Sequence, residues 1–135
     1  VPLNGVVIVS TPQFVALADA KKGVGMFQLP SINVPALGIV ENMSYFSPPE
    51  APEKRYHIFG KDGAKKLAEE LEVPLLGEIP LVQSICESGD SGTPAVLQDN
   101  TPQAIAYMEM ARKVAQQVSI QNAKEPKVKV ADVKW

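Results

Sequence analysis

Asn42, in "ALGIVENMS" (36–44), ends an apolar run with a side chain that can read a small polar ligand. Its amide offers a donor and an acceptor side by side. It can therefore bond a ring nitrogen and the exocyclic amine of an adenine edge together. The same amide can instead bond its own backbone as a turn or capping residue, and spacing alone leaves both readings open. Two other apolar runs also end in polar or backbone-rich segments. "GVVIVS" (5–10) leads into Thr11, Pro12 and Gln13, and "PLLGEIP" (74–80) leads through Ile79 and Pro80 to Leu81. Backbone groups after Ile79-Pro80 are candidates for the other side of the same base.

Other chemistry is poorly supported. The sequence has no G-x-x-x-x-G-K-[ST] and no G-x-G-x-x-G after an apolar run, so it carries no phosphate-binding loop. "KKGVGMF" (21–27) reads as a helix end, and "SGDSGTP" (88–94) as a turn rather than an anion nest. His57 is the only histidine, which rules out a histidine pair for a metal, and it is expected to pack beside Phe59. Cys86, the only cysteine, has no histidine near it in sequence and reads as an inert thiol. Asp19 and Lys22 are spaced as a helix-surface pair, and "EKR" (53–55) as a solvated loop.

The elements that must position these residues alternate along the chain. The three apolar runs, 5–10, 36–42 and 74–80, suit strands buried on both faces of a parallel sheet. Thr11-Pro12 pairs a helix cap with a proline at the first helical position, and Leu17, Ala20, Val24 and Phe27 then make one face of a helix over 12–27. Ala64, Leu67, Ala68 and Leu71 form the apolar stripe of a helix over 60–72. A short helix around Val82–Glu87 should stop at Gly89. Thr101-Pro102 opens a long helix whose expected buried face is Ile105, Met108, Ala111, Ala115 and Val118. Alternation of this kind gives an α/β fold, a three-stranded parallel sheet flanked by helices, with ligands beyond the carboxyl ends of the strands. Residues 1–120 are expected to form that unit; 121–135 read as a mobile tail, with an edge strand as the alternative.

Bulk properties agree with an ordinary globular domain: 135 residues, 45% hydrophobic and 21% charged. A formal net charge of -2 gives no electrostatic reason to expect nucleic acid. No run reaches the length of a membrane-spanning helix, and the start of the sequence does not read as a charged-then-apolar signal segment. With one cysteine there is no intramolecular disulfide, which fits a cytoplasmic protein. The start at Val1, within a few residues of the first strand, reads as a chain entered in mid-fold.

Taken together, "GVVIVSTPQFVALADAKKGVGMF", "VPALGIVENMSYF" and "HIFGKDGAKKLAEELEVPLLGEIPLVQSICESGDSGTP" closely resemble the C-terminal half of the Mrp/ApbC family. These are MinD-like, deviant-Walker P-loop ATPases implicated in iron–sulfur cluster carriage. The resemblance covers roughly residues 4 to 100 in order. It implies that Asn42 reads adenine and that Ile79, Pro80 and Leu81 line the base pocket, largely through backbone. It also implies that Thr11, Pro12 and Gln13 lie near the nucleotide or a dimer interface. ATP and Mg²⁺ would be cofactors of the full-length protein, a homodimer that hands clusters to iron–sulfur apoproteins or scaffold proteins.

Two departures follow. The family's phosphate loop, magnesium ligands and hydrolytic aspartate precede the matched region, so this chain alone is not expected to hydrolyse ATP. In many members the loop before "HIFG" carries a Cys-x-x-Cys pair; here it reads "SPPEAPEKRY" (47–56). A [4Fe–4S] cluster ordinarily takes four thiolates, whereas two copies of this chain supply only their two Cys86 side chains. The sequence therefore speaks against an iron–sulfur cluster in that loop. Its prolines suggest an extended course suited to a protein contact. The alternative to cluster delivery is a MinD/ParA-like switch, whose ATP-dependent dimerisation recruits a partner.

Overall fold

The computed structural model describes residues 3–124. Three strands, β1 (Val6–Ser10), β2 (Ala36–Glu41) and β3 (Leu75–Glu78), lie parallel and side by side in sequence order. The expected topology is the observed one. Valine and isoleucine dominate β1 and β2, and their alternate side chains feed two cores. Ile8, Ile39 and Leu75 point to one face, and Val7, Val40 and Leu76 to the other.

Helices α1 (Phe14–Phe27) and α2 (Gly63–Glu70) cover the first face. Ala20 and Val24 of α1 are buried, as are Ala64, Leu67 and Ala68 of α2, matching the stripes read from spacing. The start of α1 differs. Gln13, with extended ψ of 137°, is the N-cap, and neither it nor Thr11 supplies a side-chain cap. Pro12 is buried and its carbonyl packs against α2, which keeps the backbone extended past the proline. Gly63 permits that approach, since a Cβ there would sit 2.4 Å from the Pro12 oxygen.

The second face is covered by α3 (Gln83–Ser91) and α4 (Pro102–Lys124). Helix α3 runs through Gly89 instead of stopping there, and ends at Gly92, whose φ of 72° makes a left-handed cap. "SGDSGTP" is thus a helix end and its cap, not an anion nest. Thr101 does cap α4: its hydroxyl accepts the Ala104 amide at 3.3 Å, with Pro102 at the first position.

The face of α4 is rotated from expectation. Ile105, Met108, Ala111 and Ala115 are exposed, with Ile105 at 52% and Val118 half-buried. Ala106, Tyr107, Met110 and Val114 pack on the sheet instead. Helix α4 has apolar residues on both stripes, so its periodicity is ambiguous. Gly77 decides between them: Met110 Cβ lies 3.0 Å from where a Cβ on Gly77 would be. A partly buried polar network of Ser84, Ser88, Gln98 and Gln103 ties α3 to α4. The helix reaches Lys124, so 121–124 continue it; the expected mobile tail beyond lies outside the described residues.

Candidate functional site

The three strands end level with one another. Ser10 pairs with Glu41 and Glu41 with Glu78, so a polar row marks the carboxyl edge of the sheet. Everything singled out as a ligand-facing segment projects from this row.

Asn42 is half-buried immediately past the central strand. Its backbone amide donates to the Ser10 carbonyl at 2.7 Å, locking it against β1. Its Oδ1 accepts the Met43 amide at 3.0 Å, where Met43 takes a φ of 55° to turn the chain. The turn-residue reading and the ligand reading are compatible: Oδ1 keeps a second lone pair, and Nδ2 keeps its donors. Asn42 and Thr11 face a common cleft of about 540 Å³ that includes Ser10 and Asp19. Thr11 Oγ1 lies 3.3 Å from Gln13 Oε1, so these two polar groups are neighbours, while Pro12 turns inward.

Ile79, Pro80 and Leu81 lie on the other side of the turn. The Ile79 amide donates to the Glu41 carbonyl at 2.8 Å, and the Ile79 carbonyl accepts the Ser44 amide at 3.0 Å. The Leu81 amide donates to the Tyr45 carbonyl at 2.8 Å. These bonds fasten the segment to the Asn42 turn, but they also engage its amides internally. Ile79 is a core residue at 2% exposure and Pro80 is buried, so the segment offers a base chiefly the half-buried Leu81 side chain. Pro80 lines a separate cleft of about 360 Å³ beneath the proline-rich loop. The site residues thus share one sheet edge but divide between two clefts, with Asn42 and Thr11 in one and Pro80 in the other.

The loop after Phe46 is not extended. Phe46 and Tyr56 form an antiparallel bridge with amide-to-carbonyl distances of 2.9 and 2.8 Å. Ala51 donates to Pro48 and Lys54 to Ala51, making two successive turns with Pro49 and Pro52 at their second positions. A ring-fixed φ favours that position, which is why these prolines fold the loop. The Arg55 guanidinium stacks 4.1 Å from the Tyr45 ring centroid. His57 does not simply pack by Phe59: its Nδ1 meets the Ser44 carbonyl at 3.1 Å.

Two residues that sequence reasoning missed organise the turn. Glu41 is 1% exposed and Ser44 fully buried. The Ser44 hydroxyl donates to Glu41 Oε1 at 2.6 Å, and the Ala64 amide donates to Glu41 Oε2 at 2.7 Å. A glutamate continuing a buried apolar run was the available signal. Cys86 is exposed on α3, with Sγ 3.8 Å from Asp90 Oδ2. Asp19 and Lys22 pair at 3.3 Å, as their spacing suggests. Among the described residues no three His, Cys, Asp or Glu side chains gather as metal ligands. No described helix is long and apolar enough to cross a membrane.

A family model described as the NUBPL iron-transfer P-loop NTPase, of ParA type, matches residues 1–115. The iron–sulfur cluster carrier protein of Synechocystis is 49% identical over 121 residues, covering 89% of this chain and 34% of that protein. The iron–sulfur cluster transfer protein NUBPL of Dictyostelium discoideum is 48% identical over 128 residues, 94% of this chain and 39% of its own length. A nucleotide-binding protein of Archaeoglobus fulgidus, solved in complex with ADP, superposes with a TM-score of 0.60 at 34% identity. That match covers 74% of this chain and 39% of the other. The cell division ATPase MinD of Pyrococcus furiosus, at 23% identity, shares the fold with a TM-score of 0.62 over 84% of this chain and 43% of its own. The chain spans about a third of the length of the curated relatives it matches.

Proposed function

This chain belongs to the NUBPL iron-transfer P-loop NTPase family, and we propose that it forms the base-recognising part of an ATP-dependent protein that delivers iron–sulfur clusters to apoproteins. The level ending of the three strands, with Asn42 and Thr11 in one cleft beyond them, is the observation that carries this. Open α/β sheets bind ligands at that edge. In this reading Asn42 pairs with the adenine edge, and the Ile79–Leu81 segment, fastened to the Asn42 turn, borders the base through backbone and Leu81. Thr11 and Gln13 stand nearer the sugar and phosphates or a dimer partner, with Pro12 holding their segment on α2.

Mg·ATP, when bound, supplies the phosphoryl transfer that drives the cycle; this chain's residues bind and orient the base. The phosphate-binding lysine and the magnesium ligands are absent from this sequence, so another part of the protein contributes them. The cluster is cargo in this scheme, and its ligands are not the loop at 47–56. A second reading is favoured by one observation, the single exposed cysteine. In it the same nucleotide site drives dimerisation and partner recruitment without a cluster. Self-association belongs to both readings, and a cytoplasmic place suits both.

A chimera tests the proposal. Residues of this chain replace the matching 121-residue stretch of the Synechocystis carrier. The chimera is expected to bind Mg·ATP by calorimetry. A folded chimera that binds no adenine nucleotide would overturn the assignment. Cluster transfer to an apoprotein by the ATP-binding chimera separates the first reading from the second.

A further inference from the structure

We infer that Glu41 is a positioning residue whose buried carboxylate holds the Asn42 turn and the start of α2 as one unit. Its functional consequence rests on the reading of Asn42 as the base-binding group. The carboxylate is almost fully buried and has no cationic partner among the described residues. A buried carboxyl group is tolerated only where hydrogen-bond partners replace water. Two do so: the Ser44 hydroxyl inside the turn and the Ala64 amide at the second position of α2. The positive end of α2 adds to the latter.

That helix has no cap of its own. Asp62, its N-cap, sits in the left-handed region at φ 58° and makes no side-chain bond. Glu41 therefore caps α2 from a different element. The Ser44 carbonyl in turn meets His57, and the Glu41 carbonyl accepts the Ile79 amide. One residue thus anchors both ends of the 45–62 excursion and the β3 segment, directly beside Asn42. Glutamine has nearly the same shape but only one accepting terminal atom. If its oxygen keeps the Ala64 amide, the Ser44 hydroxyl must reverse and accept from its amide nitrogen, and both charge-assisted bonds are lost.

Amide exchange followed by NMR on the whole 135-residue chain, in wild type and variants, tests this. Glu41→Gln is expected to speed exchange at least tenfold at Ala64 and at Asn42, Met43 and Ser44. Amides of Met110 and Val114 on α4 should change only with global stability. Ser44→Ala should speed Asn42 and Met43 while leaving Ala64 protected. A cap of purely structural importance would alter Ala64 and spare Asn42 and Met43. Unchanged Asn42 and Met43 amides in the folded variants overturn the inference. If Glu41→Gln does not fold, Ser44→Ala decides alone. Adding millimolar Mg·ATP separates this from the base-binding reading. In the chimera, an Asn42 side chain silent to Mg·ATP refutes that reading, even where the exchange pattern holds.

Discussion

Asn42 holds its own turn, and the proposed base contact would use the lone pair and donors that this bond leaves free. One lone pair of its Oδ1 fixes the Met43 amide, and this sets the side-chain plane that a base would meet. In the ATP-binding chimera, Asn42→Ala is expected to weaken ATP and to narrow its preference over GTP. The loss should be on the order of 1–3 kcal/mol, the worth of a bidentate amide–base contact. Competition titration reads it; an unchanged ATP-to-GTP ratio would remove Asn42 from base reading. The turn at Asn42 was legible because a polar amide ending an apolar run is a turn signal. Glu41 and Ser44 were not. Their importance comes from burial and from the Ala64 amide, 23 residues away from Glu41, and no local pattern announces that partner.

Elements with one apolar stripe read correctly, and those with two did not. Strands β1 and β2 and helix α2 offer a single way to bury their apolar residues, so periodicity placed them. Helix α4 offers two, and the choice rests on the shape of β3, where Gly77 leaves room for Met110. Met110→Ala should therefore cost about 1–2 kcal/mol of stability through lost apolar burial. Ile105→Ala, at an exposed site, should stay within about 0.5 kcal/mol. Urea unfolding midpoints compare the two, and the reverse order would return α4 to the face expected from sequence. The loop at 46–56 shows the same limit. Prolines signal stiffness, but whether they extend or turn a chain depends on the carbonyls of Pro48 and Ala51 finding the amides of Ala51 and Lys54.

At the scale of the molecule, β1 is the outer strand of the sheet and pairs on one side only among the described residues. Val9 on it is 61% exposed, and Phe14 and Val15 at the start of α1 add apolar surface nearby. An apolar strand edge is a template for pairing. The 135-residue chain is thus expected to self-associate through this side, and Val9→Lys should shift it toward monomer in light scattering. Association undiminished by that lysine would point to another surface, such as the folded loop. Where a nucleotide touches the protein is the most direct measurement of the base-binding assignment. Titrating the isotope-labelled chimera with Mg·ATP should perturb the Asn42 side-chain amide together with Thr11 and the Ile79–Leu81 segment, with smaller effects from Mg·GTP. Perturbations confined to the cleft around Arg55 and Lys113, with Asn42 silent, would contradict it.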